Sequence, residues 1–292
     1  MNKLEATPRA VIVAECGVNH FGKLDLAKQL ADEALKCGAA IAKFQTYNPE
    51  KVLRQSDQSY ALLASLALSH ADFRELAKHC ERIGIEFMST PGDVDSLKFL
   101  VNEIGVKRIK IGSDDLTNIP LLAEAHHSKL PIILSTGMAN PTEIRRAACE
   151  VCHPPPFHLT LLHCVSLYPT PIEFANLSAI TTLRSEYDYM NVEIGYSDHT
   201  KSFNAIGIAA ALGANMIEAH LRLGNGPPPV DDAVSFTPDN FAAMVRRVLN
   251  TELIMGHGRK EPSEPEKLMI PLLRKGGDGL RGLASAQMEL AL

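Results

Sequence analysis

Two lysines, Lys43 and Lys110, and a series of hydroxyl residues recur at one kind of place in this chain, the last residues of short β-branched segments. VIVAEC contains Glu15, AIAKFQT carries Lys43 and Gln45, EFMST closes on Thr90, and RIKIGS holds Lys110 and Ser113. PIILST contains Ser135, LTLLHC leads to Ser166 and Tyr168, VEIGYSD reaches Ser197 and His199, and MIEAHL carries Glu218 and His220. Ammonium groups and hydroxyls converging on one mouth can hold a small anion bearing both phosphate and carboxylate, since each oxygen finds a charged or neutral donor. Phosphoenolpyruvate suits such a mouth. Singly, each hydroxyl reads equally well as a strand end and each lysine as half of a buried ion pair. Six or more coinciding favour a site.

His199 and His220 stand 21 residues apart on consecutive segments, about one strand-helix repeat, so both imidazoles can point into the mouth as neighbours. That suits a divalent metal. With two His and the remaining positions open to carboxylate, water or substrate oxygen, Mn²⁺ or Mg²⁺ fits better than a closed structural Zn²⁺ site, and Co²⁺ is a further option. Glu15, Glu218 and Asp231 supply carboxylates that can orient a ligand or move protons. Glu218 lies two residues before His220 and shares its strand face. His20, in GVNHFG, follows the first segment on a loop where a substrate would be met. His126, His127 and His163 read as structural.

These residues need elements to position them. Eight β-branched runs alternate with helical segments, the pattern of repeated βα units on a parallel sheet. The expected strands are 11–16, 40–46, 86–90, 108–113, 131–136, 159–164, 192–198 and 216–221. Eight such units in 292 residues match a (β/α)₈ TIM barrel, which needs roughly 250 residues and places its active site at the C-terminal strand ends. Neither G-x-G-x-x-G after the first strand nor a P-loop signature occurs, so dinucleotide and P-loop readings lose their main support. The barrel is expected over 1–255. The remainder, 256–292, is rich in Pro, Gly and alternating charge and reads as an extended arm whose last ten residues could form a short helix.

A net charge of −5 with 46% hydrophobic and 22% charged residues is ordinary globular composition with no footprint for nucleic acid or an anionic membrane. The N-terminus has no signal or transit character, no stretch is apolar enough to span a bilayer, and six scattered cysteines form no disulfide framework. A cytoplasmic location is expected. Cys149-Glu150-Val151-Cys152-His153 matches the haem-attachment pattern C-x-x-C-H, but it follows a helical segment and reads as coincidence.

The blocks IVAECGVNHFGKLDLAKQLADEA, AKFQTY, IEFMSTP, KIGSDDLTNIPLL, PIILSTGM, LLHCVSLYPTP, IGYSDHT and MIEAHL resemble, in order and spacing, the N-acetylneuraminate (sialic acid) synthases and their legionaminic, pseudaminic and spore-coat polysaccharide relatives. The resemblance implies that C3 of phosphoenolpyruvate attacks the aldehyde of an open-chain N-acyl-hexosamine, water adds at C2 and phosphate leaves. It implies a Mn²⁺-type ion on His199 and His220. Lys43, Thr90, Lys110, Ser113, Ser135, Ser166 and Ser197 would hold phosphoenolpyruvate. Gln45, Asp115 and His20 would face the aldehyde, with Glu15, Tyr168, Glu218 and Asp231 in catalytic roles. A homodimer is implied on the same ground.

Departures gather on the sugar side. Asp115 stands for the family's Glu, Asp114 for Gly, Gly92 for Phe and Ala219 for a basic residue, and the loop with Arg222-Leu223-Gly224 and Pro227-Pro228-Pro229 is altered. The segment 55–65 is short. EPSEPEKLMIPLLRKG resembles the family's linker without the antifreeze-like domain that follows it, so a separate lid protein, or a smaller or carrier-bound aldehyde, is expected. Two alternatives stand beside this reading. One is a Schiff-base aldolase using Lys43 or Lys110, and the other is a degenerate barrel acting as a binding or scaffold subunit.

Overall fold

A computed structural model describes residues 8–152, 158–190, 192–225 and 228–281. The chain divides into two compact units, Met1–Ile254 and Met255–Leu292.

The first unit is the barrel. Its strands are β1 (Val11–Gly17), β2 (Ile41–Thr46), β3 (Glu86–Pro91), β4 (Ile109–Ile111), β5 (Ile132–Ser135), β6 (Leu159–His163), β7 (Glu193–Asp198) and β8 (Met216–His220). They pair in parallel in the order β3-β2-β1-β8-β7-β6-β5-β4. β3 and β4, the two ends of that order, pack side by side, so the sheet forms a nearly closed barrel with a helix after every strand.

Alternation along the strands builds the interior. Val13, Ile41, Met88, Ile133, Leu162 and Met216 point inward as one apolar layer. Two residues further along each strand, side chains return to the lumen, and here the type changes to Glu15, Lys43, Thr90, Ser135 and Glu218. The other strand face packs Ile12, Ala14, Phe44, Leu134 and Ile217 against the helices in the main core. Those helices start and stop where local chemistry dictates. Ser69 and Asp72 form a reciprocal capping box at the start of His70–Ile83, and Gly84 ends it at φ 84°, a left-handed conformation that a side chain would disfavour.

Two expectations need correction. β4 is three residues long, because the chain turns at Gly112, whose carbonyl accepts from the Asp115 amide at 3.2 Å; Ser113 is therefore a loop residue. The second unit is not extended throughout, since it contains the helix Glu264–Leu273. Pro265 sits in its first turn, where no amide donor is needed, behind a Ser263–Glu266 capping box. The segment after β2 forms two short helices, Pro49–Val52 and Tyr60–Leu66.

All six thiols are free, and Cys149 lies in the helix Pro141–Val151. His153 of the C-x-x-C-H pattern, Pro227 and the last ten residues lie outside the described residues. Among the described residues, no helix is long and apolar enough to cross a membrane.

Candidate active site

A cavity of about 490 Å³ opens at the C-terminal ends of the strands. Its floor is an ion-pair network on the inward faces of β1, β2, β4 and β8. The register sets Glu15 beside Lys43 and beside His220. Lys43 Nζ lies 2.6 Å from Glu15 Oε2 and 3.5 Å from Glu218 Oε2, and Lys110 Nζ lies 3.8 Å from Glu218 Oε1. Neutral groups complete it: Lys43 donates to Thr90 Oγ1 at 3.3 Å, Lys110 to Ser135 Oγ at 2.7 Å and Ser197 Oγ to Glu218 Oε1 at 3.0 Å.

Burial and charge set the protonation states. Burial works against the Lys43 ammonium, but the Glu15 and Glu218 carboxylates hold its pKa above the usual lysine value. Burial would raise Glu218 too, yet Lys110 and Lys43 hold it down at about 2. Lys110 is lowered, by burial first and then by Lys43, with Glu218 opposing.

A second donor cluster forms where the segments after β4, β5 and β6 meet. The Gly137 amide donates to Ser113 Oγ at 3.0 Å, and Ser113 Oγ lies 3.2 Å from Cys164 Sγ. A Cβ on Gly137 would stand 2.3 Å from Ser166 Oγ and 2.8 Å from Ser113 Oγ, so glycine lets both hydroxyls close over the backbone there.

His199, just after β7, and His220, at the end of β8, lie with their ring centroids 5.4 Å apart and the Tyr168 ring 4.2 Å from His199. His199 Nδ1 lies 2.7 Å from the Val165 carbonyl, which fixes the proton on Nδ1 and leaves Nε2 as the lone-pair nitrogen. Burial, then the neighbouring His220, lowers His199 to about 4. His220 Nδ1 faces Asp231 Oδ2 at 3.4 Å; burial opposes its protonation, but the carboxylate raises it above the ordinary histidine value. Among the described residues no group of three His, Cys, Asp or Glu is close enough to hold a metal alone. Two imidazoles can supply part of a coordination sphere, the rest coming from substrate oxygen or water.

Of the residues singled out from sequence, Glu15, Lys43, Gln45, Thr90, Lys110, Ser113, Asp115, Ser135, Ser166, Tyr168, Ser197, His199, Glu218 and His220 line the cavity. Asp231 reaches it through His220. His20 does not line it. Its side chain is buried against Phe44, its Nδ1 accepts from the Gly22 amide at 3.1 Å, and burial lowers it to about 4. The tight turn after β1 folds the ring under the loop. Tyr47, Val52, Leu63, Gly92, Asp114, Met138 and Cys164 also line the cavity. Tyr47 and Gly92 follow strand ends directly and could have been read so, whereas Val52 and Leu63 come from the post-β2 helices, which carry no strand-end signal.

The model of the NeuB family matches residues 30–260. The chain belongs to the NeuB family. Within it, MJ1065 of Methanocaldococcus jannaschii is 41% identical, over 90% of this chain and 77% of that protein. The N,N'-diacetyllegionaminic acid synthase of Legionella pneumophila is 36% identical, over 90% of this chain and 78% of its own length. A crystal structure of N-acetylneuraminic acid (sialic acid) synthetase from Leptospira borgpetersenii in complex with citrate superposes with a TM-score of 0.83 at 36% identity, covering 92% of this chain and 94% of that one. This NeuB-family barrel therefore carries its ionisable residues at the end where such barrels do chemistry.

Proposed function

We propose that this enzyme condenses phosphoenolpyruvate with a sugar-like aldehyde to give a nonulosonic-acid-type 2-keto acid and phosphate. The observation that carries the reading is the pair of lysines, each about 3% exposed, set beside Ser135 and Thr90 on the cavity floor. Preorganised cations and hydroxyls of this kind stabilise a compact dianion without reorganising during reaction. The relatives named as legionaminic and sialic acid synthases support it.

Lys43 and Lys110 bind the phosphate and carboxylate, with Thr90, Ser113, Ser135, Ser166 and Ser197 donating around them. C3 of the enol forms a bond to the aldehyde carbon, whose oxygen takes a proton. Water adds at C2, the C2–O bond to phosphate breaks and C2 is left as the ketone; one water proton leaves with the phosphate and the other is given up to the protein. Glu15, whose Oε1 accepts from Gln45 at 3.2 Å and whose Oε2 lies against Lys43, is placed to take that proton. Asp231 orients the His220 ring, and the Val165 carbonyl orients His199. His199 and His220 would hold a divalent ion, Mn²⁺ in the first instance, with Mg²⁺ or Co²⁺ also suited. When bound it supplies Lewis-acid polarisation of the aldehyde oxygen.

A second reading rests on Lys110, whose depressed basicity is what a Schiff-base lysine needs. One assay separates them: phosphate release from phosphoenolpyruvate with a panel of aldoses, with Mn²⁺ or EDTA, and with borohydride. Aldehyde-dependent, EDTA-sensitive release supports the synthase. Borohydride inactivation without metal dependence supports the aldolase and overturns it.

A further inference from the structure

One buried thiol at the cavity takes no part in the proposed reaction. Cys164 directly follows β6, is 5% exposed and lines the cavity. Its Sγ lies 3.2 Å from Ser113 Oγ, and no other hydrogen-bond partner of this thiol is found among the described residues. Ser113 Oγ has a fixed capacity, one proton to donate and two lone pairs to fill. The Gly137 amide, which can only donate, fills one lone pair at 3.0 Å. Two arrangements remain. If Ser113 donates to the sulfur, its proton is engaged and cannot serve an anion. If the thiol donates to Ser113, both lone pairs are filled and the hydroxyl proton is left to point into the cavity. Sulfur is a weak acceptor and a phosphate or carboxylate oxygen a strong one, so an anion in the cavity selects the second arrangement.

We propose that Cys164 is a positioning residue for anion binding: its S–H donates to Ser113 Oγ and, with the Gly137 amide, turns the Ser113 proton toward phosphoenolpyruvate. The inference rests on the synthase reading above, which places that anion in this cavity. A hydroxyl that accepts two hydrogen bonds is polarised into a better donor, so the thiol strengthens the Ser113 contact without touching the substrate.

The three groups are held from three segments. The turn after β4 that carries Ser113 is tied by the amides of Asp115 and Leu116, which donate to the carbonyls of Gly112 and Ser113 at 3.2 and 3.4 Å. The segment after β5 supplies the Gly137 amide, and the end of β6 supplies the thiol. A Cβ on Gly137 would stand 2.8 Å from Ser113 Oγ and 3.1 Å from Cys164 Sγ, so backbone, hydroxyl and thiol close on one point.

The test uses the full chain with phosphoenolpyruvate as the probe, its affinity read by calorimetry. Cys164→Ala should weaken binding about two- to tenfold, the span of one neutral hydrogen bond, and Cys164→Ser, which restores a donor, should recover most of the loss. The same Cys164→Ala change made in Ser113→Ala should cost nothing further, because the thiol acts through that hydroxyl. A spectroscopic signature separates this from packing. The S–H stretching band of Cys164, isolated as the infrared difference between the native chain and Cys164→Ser, should move to lower frequency when phosphoenolpyruvate binds, and Ser113→Ala should abolish the shift. If Cys164→Ala does not fold, the band decides alone. Unchanged affinity in Cys164→Ala, or a Cys164 band that phosphoenolpyruvate leaves in place, overturns the inference while binding by the native chain leaves the synthase reading intact. A native chain that binds no phosphoenolpyruvate overturns both.

Discussion

Glu15 and Lys43 face each other across the β1–β2 ladder as direct register partners, with Oε2 and Nζ 2.6 Å apart and both side chains almost wholly buried. Glu218 approaches the same ammonium from β8, so one cation on β2 is shared by carboxylates from β1 and, beyond it, β8. The arrangement ties three strands together at the level where the lumen changes from apolar to ionic.

Removing that cation should therefore be costly. Lys43→Met is expected to leave Glu15 and Glu218 without their shared charge and to destabilise the barrel by about 3 to 5 kcal/mol. Adding Glu15→Gln should recover part of the loss, because a neutral amide needs no counter-charge. Urea unfolding midpoints check both; an unchanged midpoint in Lys43→Met would show that the network contributes nothing to stability.

Lys110 has a separate expectation. Lys110→Ala should weaken phosphoenolpyruvate binding by about 1.5 to 3 kcal/mol, the range of a charge-assisted contact. Calorimetry reads it directly, and an affinity equal to that of the native chain would remove Lys110 from the anion site.

Gly137→Ala tests the donor cluster by shape alone. The added Cβ, 2.3 Å from Ser166 Oγ and 2.8 Å from Ser113 Oγ, must push both hydroxyls aside. A drop in phosphoenolpyruvate affinity of about tenfold or more, near 1.4 kcal/mol, is expected with little change in fold.

His199→Ala and His220→Ala should each abolish metal-dependent turnover while far-ultraviolet circular dichroism stays native. Full activity in either variant would remove that histidine from the metal assignment.

Asp115 gives a pH signature. Burial is the largest influence and raises its carboxyl from 3.8 to about 6, with Asn118 opposing and Asp114 and Asp93 adding. The native chain therefore binds a proton that the unfolded chain has released between those two values, so stability falls as pH rises through that window. Carbon-13 NMR of labelled aspartate should show a midpoint near 6, and Asp115→Asn should flatten the stability change.

The barrel was legible because its lumen alternates with period two, and every strand lies within one residue of its expected ends except β4, which stops two residues early. There the turn at Gly112 depends on an amide of Asp115 reaching back, which no propensity encodes. The floor of the site was legible for the same reason, since position at a strand end fixes depth in a barrel. His20 was misplaced because its ring is held beside Phe44 and accepts from the Gly22 amide, away from the cavity lining. The Val52 and Leu63 wall was invisible because it depends on how the post-β2 turns fold back, which is tertiary rather than local.

The central claim is formation of a carbon–carbon bond at C3 of phosphoenolpyruvate. Phosphoenolpyruvate labelled with carbon-13 at C3, incubated with the chain, Mn²⁺ and an unphosphorylated N-acyl-aldose, should yield a labelled methylene joined to a new carbinol carbon as phosphate is released. Label appearing in the methyl group of pyruvate, or remaining wholly in phosphoenolpyruvate across the aldehyde panel, would contradict it.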